Sequence, residues 1–171
     1  TFGDLGVWSF DAMKILVTGD GGLIYSNNKK YISKLERLTY LGLETSSGLS
    51  STIDKKWWQF EVSSAGRRSI TNDISSAIGI EQLKKVDTFI SRRKEIHEMY
   101  NSNLINLDWI KLPSVPNYTY SSYYMYHIQV DNRDEFAKYL REKNIYTTFR
   151  YYPLHWVDFY KSKEKLPNTE Y

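Results

Sequence analysis

The 171 residues include no cysteine, which excludes a disulfide framework and any thiolate metal site and is compatible with a reducing compartment. No run approaches the roughly 18 consecutive apolar residues of a membrane span. Thr1-Phe2-Gly3-Asp4 has none of the basic and apolar regions of a secretory leader. An excess of one charge is also missing: 23 basic against 20 acidic residues leave +3, too even for nucleic-acid affinity to follow from charge alone. Histidine is scarce and scattered, at His97, His127 and His155. His97-Glu98 lacks the second histidine of a zinc helix, so no metal site is expected. His97 is expected on a helix surface and His127 in a strand. Low-complexity tracts, a collagen-like period and internal repeats are absent as well, which excludes wholesale disorder and solenoids.

Aromatic residues are plentiful, at 16% of the chain, with fifteen tyrosines and five tryptophans. Such rings cover sugars or bases, although they pack cores more often. The length suits one domain or parts of two. Val7-Trp8-Ser9-Phe10 reads as a strand. Ile15-Leu16-Val17 and Leu23-Ile24-Tyr25 are expected to pair as a hairpin, with Thr18-Gly19-Asp20-Gly21-Gly22 supplying positive φ between them. Asn28 is placed to cap a helix with apolar positions Tyr31, Ile32, Leu35, Leu38 and Leu41, ended by Gly42. A serine- and glycine-rich loop comes next. Asn72 or Asp73 opens the strongest periodic stretch, from Ile74 to Tyr100, expected as one long helix bent near Asp87 and bridging two domains. Beyond Leu104, a strand over Tyr123 to Val130, a helix capped by Asn132 and left through Asn144, and a strand over Ile145 to Tyr152 predict a small α+β domain.

Ser9-Phe10-Asp11-Ala12-Met13-Lys14 places a hydroxyl five residues before a lysine, between a strand and the expected hairpin. A lysine amine condenses with an aldehyde, and a nearby serine is able to donate to a phosphate. Trp57 and Trp58 beside Lys55 and Lys56 are read either as a platform for a nucleotide or sugar or as core packing. The pairs Lys84-Lys85 and Arg92-Arg93 are expected on a solvated helix face.

The run from Ser9 to Lys14, with Thr18-Gly19-Asp20-Gly21-Gly22 after it, resembles the lysine segment of the DegT/DnrJ/EryC1/StrS aminotransferases. Trp58-Gln59-Phe60-Glu61-Val62, Gly66-Arg67-Arg68, Asn72-Asp73-Ile74, Ala77-Ile78-Gly79, Gln82-Leu83, Arg92-Arg93, Tyr100 and Tyr152-Pro153-Leu154-His155 stand in that family's order and spacing. Asp20 replaces the family's commoner glutamate, and Ser69-Ile70-Thr71 replaces a more aromatic, methionine-containing stretch. The resemblance implies an α/β protein of the pyridoxal-phosphate transferase fold type I. It implies part of the large cofactor-binding domain over residues 1–88, a connecting helix over 89–103 and a small, incomplete α+β domain over 104–171. The chain is expected to be an internal segment lacking both ends of a longer protein.

The same resemblance implies residue roles. Lys14 matches the lysine that holds pyridoxal 5'-phosphate and moves the substrate proton. Ser9 matches the hydroxyl that binds the cofactor phosphate. Arg68 matches a position that reaches the phosphate of the neighbouring subunit, and His155 a position near the substrate mouth, with Trp58 as a further substrate contact. The implied activity is transfer of an amino group from glutamate to a nucleotide-linked keto sugar, for cell-surface polysaccharide or amino-sugar biosynthesis, by a cytoplasmic homodimer with shared sites and with no nucleic-acid or membrane partner. Two alternatives stand beside it. One is a sugar dehydratase relative with the same fold and cofactor, against which Lys14 argues because such enzymes typically have histidine there. The other is a noncatalytic carbohydrate or nucleic-acid binding module.

Overall fold

The computed structural model describes residues 3–44, 60–160, 162 and 164–170. The chain divides into two compact units, one of Thr1–Asn103 with Ser114–Tyr126, the other of Leu104–Pro113 with His127–Tyr171. No helix among the described residues is long and apolar enough to cross a membrane.

In the first unit, strand β1 (Gly6–Ser9) pairs antiparallel with strand β2 (Gly22–Tyr25), in the register Gly6 to Tyr25 and Ser9 to Gly22. The expected partner of Leu23-Ile24-Tyr25 was Ile15-Leu16-Val17, and the structure corrects this. Residues 10–21 form a loop between the strands, because Lys14 N–H turns back onto the Asp11 carbonyl and Thr18 N–H onto the Phe10 carbonyl. Ser26 is buried and ties the exit of β2 both to the chain ahead of β1 and to the next helix start. Its hydroxyl donates to the Asp4 carbonyl at 2.8 Å and accepts from Asn28 N–H at 3.1 Å.

Asn28 caps helix α1 (Lys29–Thr39) as expected, its side chain accepting from Lys30 N–H at 3.0 Å, one of the orphan donors that every helix start leaves. Gly42 ends the helix at φ 76° with its N–H on the Arg37 carbonyl at 2.7 Å. This left-handed exit lets residues 61–69 lie along the helix end. Ser63 N–H donates to the Gly42 carbonyl, Arg67 N–H to Leu38 and Ser69 N–H to Thr39.

The long periodic stretch is two helices, α2 (Asp73–Leu83) and α3 (Val86–Leu104), parted at Lys84 and Lys85, close to the bend expected at Asp87. Asn72 caps α2 by accepting from Ser75 N–H at 2.9 Å. Isoleucines 74, 78 and 80 and Leu83 lie on more than one face of α2 and are exposed, as are Val7 and Leu23 of the hairpin. Apolar surface of this kind belongs against other protein.

The second unit holds helix α4 (Arg133–Glu142), a 3₁₀ turn (Leu154–Trp156) and the short helix α5 (Pro167–Glu170). Asn144 makes the expected left-handed exit from α4 at φ 62°. Asn132 precedes α4 without a side-chain capping bond. Ile110 and Pro153 are buried in this unit, and Trp109 packs edge-on against Phe136 at 5.4 Å. Neither expected strand forms among the described residues. Tyr123 takes φ 49°, which interrupts the extended path, and only Gln129 bridges, to Lys111. Ile145–Tyr152 finds no strand beside it, and a β-prone run without a neighbour has no ladder to join.

A Cβ at Gly42 meets the Ser64 carbonyl oxygen at 1.7 Å, whereas at Gly19, also left-handed at φ 89°, it meets nothing within 4 Å. Gly19→Ala is therefore expected to cost only the left-handed term, about 1–2 kcal/mol. Gly42→Ala adds displacement of the 61–69 segment and is expected to cost at least about 2 kcal/mol more than Gly19→Ala. Urea midpoints at constant slope give the comparison.

Candidate functional site

The loop between β1 and β2 carries Lys14. Its ends are fixed by the register of the strands and by Phe10 N–H on the Gly21 carbonyl at 2.9 Å. Within it, the Asp11 carboxylate accepts from Met13 N–H at 2.9 Å while the Asp11 carbonyl accepts from Lys14 N–H at 2.9 Å. Asp11 thus builds the turn that presents Lys14, an aspartate-capped geometry that the sequence signals only weakly. On the return limb Thr18 is buried, bonds the Asp20 carbonyl through its hydroxyl and lies against α2. A Cβ at Gly79 is 3.0 Å from the Thr18 methyl. Gly19 and Gly21 take φ 89° and 117°, the conformations expected of them.

Lys14 is half-buried. Its ammonium lies 5.7 Å from the ring centroid of Tyr124, and among the described residues no carboxylate forms an ion pair with it. Ser9, at the end of β1, is exposed, and its oxygen accepts from Asp11 N–H at 3.4 Å. The Ser9 proton is left to donate elsewhere. An amine without an ion pair among the described residues, on the loop that follows a strand-end hydroxyl, fits an aldehyde and a phosphate.

Arg68 meets Tyr40 at the end of α1, its guanidinium 5.6 Å from the Tyr40 centroid. Among the described residues no hydrogen bond or ion pair joins it to Ser9 or Lys14. A cavity of about 720 Å³ in the same unit is walled by Trp8, Gly22, Ile24, Ile32, Leu35 and Asn72. Its charged groups are Asp20 and Glu36 with no basic side chain, so it does not suit a phosphate, and neither Ser9 nor Lys14 lines it.

The model of the DegT/DnrJ/EryC1/StrS aminotransferase family matches residues 1–171. The chain belongs to that family. It is 44% identical over 99% of its length to a dTDP-4-dehydro-2,3,6-trideoxy-D-glucose 4-aminotransferase of Saccharopolyspora spinosa, of which it covers 45%. It is 30% identical over 99% of its length to GDP-perosamine synthase of Escherichia coli O157:H7, covering 44% of that protein. Among solved structures, the aminotransferase TlmJ from Streptoalloteichus hindustanus superposes with a TM-score of 0.85 at 43% identity, across 99% of this chain and 44% of the other. The fold is the type I transferase fold. The chain spans a little under half the length of the relatives it matches.

For this aminotransferase-family chain, Ser9 ends the strand that leads into the Lys14 loop, whereas Arg68 lies beside Tyr40 and His155 lies in the second unit. Trp58 falls outside the described residues. His155 Nε2 and Glu170 Oε1 are 2.8 Å apart, with the His155 side chain only 8% exposed. His97, expected on a helix surface, is instead buried between Tyr123 and Tyr126 at ring distances of 5.1 and 5.0 Å. His127 is exposed and outside any strand. Arg93, expected on a solvated face, is half-buried and donates to the Tyr124 carbonyl at 3.0 Å, while Arg92 pairs with Glu95 on the exposed side. Asp11 and Tyr124 are the contacts of the Lys14 loop that sequence reasoning passed over.

The Leu166 N–H and then His155 hold the Glu170 carboxyl below its ordinary value of 4.5. A lowered carboxylate contributes stability that is present above its unfolded value and is lost as pH falls through the folded one. Protection of the Leu166 amide against hydrogen exchange is therefore expected to fall once pH drops below about 4.5. In Glu170→Gln it is expected to be weaker at neutral pH and to lose that acid dependence.

Proposed function

We propose that this chain supplies the catalytic lysine of an aminotransferase that uses pyridoxal 5'-phosphate to move an amino group from glutamate to a nucleotide-linked keto sugar. The observation that carries the proposal is the Lys14 amine, free of ion pairs among the described residues and presented by a loop closed at both ends by the hairpin, in a chain that belongs to this family. Relatives are named for dTDP- and GDP-linked sugars, which supports a nucleotide sugar as the substrate class without choosing the nucleotide. Residues 1–88 are assigned to the large domain, 89–103 to the connecting helix and 104–171 to the small domain, with 114–126 returning to the first unit.

When bound, the cofactor supplies an electron sink for charge that develops at the substrate carbon. Lys14 supplies the amine that holds its aldehyde carbon, and in neutral form that amine accepts and returns a proton. Ser9 would donate its hydroxyl proton, which no acceptor among the described residues takes, to the cofactor phosphate. Asp11 fixes the Lys14 backbone, so the amine is delivered from a set position. Arg68 offers forked donors suited to a phosphate. Its place beside Tyr40, with no hydrogen bond or ion pair to Ser9 or Lys14 among the described residues, is compatible with service to a partner's site in a cytoplasmic homodimer.

In the holoenzyme containing these residues, Lys14→Ala is expected to lower kcat by at least about 10³-fold, since it removes both the nucleophile and the proton carrier. Activity within tenfold of wild type contradicts the role. If sites are shared, mixing inactive Lys14→Ala and Arg68→Ala subunits is expected to restore about one competent site per mixed dimer. Absence of recovery at any mixing ratio rules out sharing through Arg68.

A further inference from the structure

Tyr124 lies 111 residues beyond the loop it touches. Its hydroxyl donates to the Met13 carbonyl at 2.9 Å, so it grips the peptide unit that leads into Lys14. Its ring also faces the Lys14 ammonium, with the centroid 5.7 Å away, inside the roughly 6 Å reach of a cation–π contact. One side chain therefore meets both the carbonyl that precedes Lys14 and the Lys14 charge.

A single face of α3 aims Tyr124. Arg93, His97, Tyr100 and Asn101 recur at helical spacing, the separations of four, seven and eight residues that stack on one side. All four hold the segment from Tyr123 to Tyr126. Arg93 donates to the Tyr124 carbonyl at 3.0 Å, and its guanidinium lies 6.0 Å from the Tyr124 centroid. His97 packs edge-on against Tyr123 and Tyr126. Tyr100 stacks on Tyr126 at 4.7 Å, and the Tyr126 hydroxyl donates to Asn101 at 2.8 Å. Burial, with a smaller contribution from Tyr100, pushes the Tyr126 phenol up, which keeps it protonated as that donor. Tyr123 is held at φ 49°, a conformation uncommon for a bulky residue that surrounding contacts must impose. The clasp on either side of Tyr124 is thus complete, and the side chain left to point at the loop is Tyr124 itself.

We propose that Tyr124 is a positioning residue for Lys14, fixing the amine's approach through the Met13 carbonyl and bearing on the ammonium through its ring. The proposal deepens the role given to Lys14 above and rests on that role for its meaning in catalysis. The contact itself is tested without any turnover.

In cofactor-free protein, the labelling rate of Lys14 by acetic anhydride is measured against exposed Lys85 as the internal reference. Tyr124→Leu removes ring and hydroxyl, and is expected to raise the Lys14 to Lys85 ratio about two- to fivefold at fixed pH, the factor that an exposed cation–π contact corresponds to. Tyr124→Phe keeps the ring, so it is expected to leave that ratio unchanged. Loss of its bond to Met13 is expected to speed amide exchange at Lys14 and Thr18 about fivefold, with α1 amides unaffected. An unchanged ratio in Tyr124→Leu overturns the proposal. If Tyr124→Leu labels every lysine faster, the fold has loosened and Tyr124→Phe decides alone; unchanged exchange there overturns it. Should Lys14→Ala retain activity, the role of Lys14 fails while these labelling and exchange results still decide the contact.

Discussion

The antiparallel pairing of Gly6–Ser9 with Gly22–Tyr25 is the constraint on which the site depends, because it sets both ends of the loop that carries Lys14. A two-stranded ribbon is marginal in isolation, and this one is held from several directions. Ser26 bonds the Asp4 carbonyl on one side. On the return limb, α2 approaches Thr18 closely enough that only a glycine at position 79 avoids crowding it. Tyr124 bonds Met13 at the tip. Each such bond contributes only about 1 kcal/mol net. Their joint effect is to leave the loop few alternative paths, which matters because a nucleophile displaced by about 1 Å loses much of the benefit of orientation.

The caps were legible because their physics is local. Asn28, Asn72, Gly42 and Asn144 each act on backbone groups within a few residues and are found in that role, whereas Asn132, expected as a cap, makes no side-chain capping bond. The family and its lysine motif were legible for a different reason: several short motifs stand in a fixed order along the whole chain. Strand pairing was less accessible. Ile15-Leu16-Val17 has the composition of a strand, but the Asp11 turn and the Phe10 contacts with Thr18 and Gly21 consume that segment. β-Propensity reports suitability for a pleated surface and does not choose the neighbour.

The same limit explains Arg93, His97 and Tyr124. In sequence the first two look like the polar side of an amphipathic helix, and the third is one tyrosine among fifteen. Only the return of residues 121–126 onto α3 turns that helix face into a clasp, and nothing within either segment announces the other. Arg68 shows the complementary case. Its motif was readable, whereas its placement beside Tyr40 comes from the Gly42 exit and the docking of residues 61–69.

The central claim is that Lys14 is the residue to which the cofactor attaches. Borohydride reduction of the holoenzyme and peptide mass spectrometry of the product test it most directly, since reduction fixes the attached group in place. The added mass is predicted on the peptide spanning Ser9 to Lys14 and on no other lysine. Recovery of that mass at Lys30, Lys34 or any lysine other than Lys14 contradicts it.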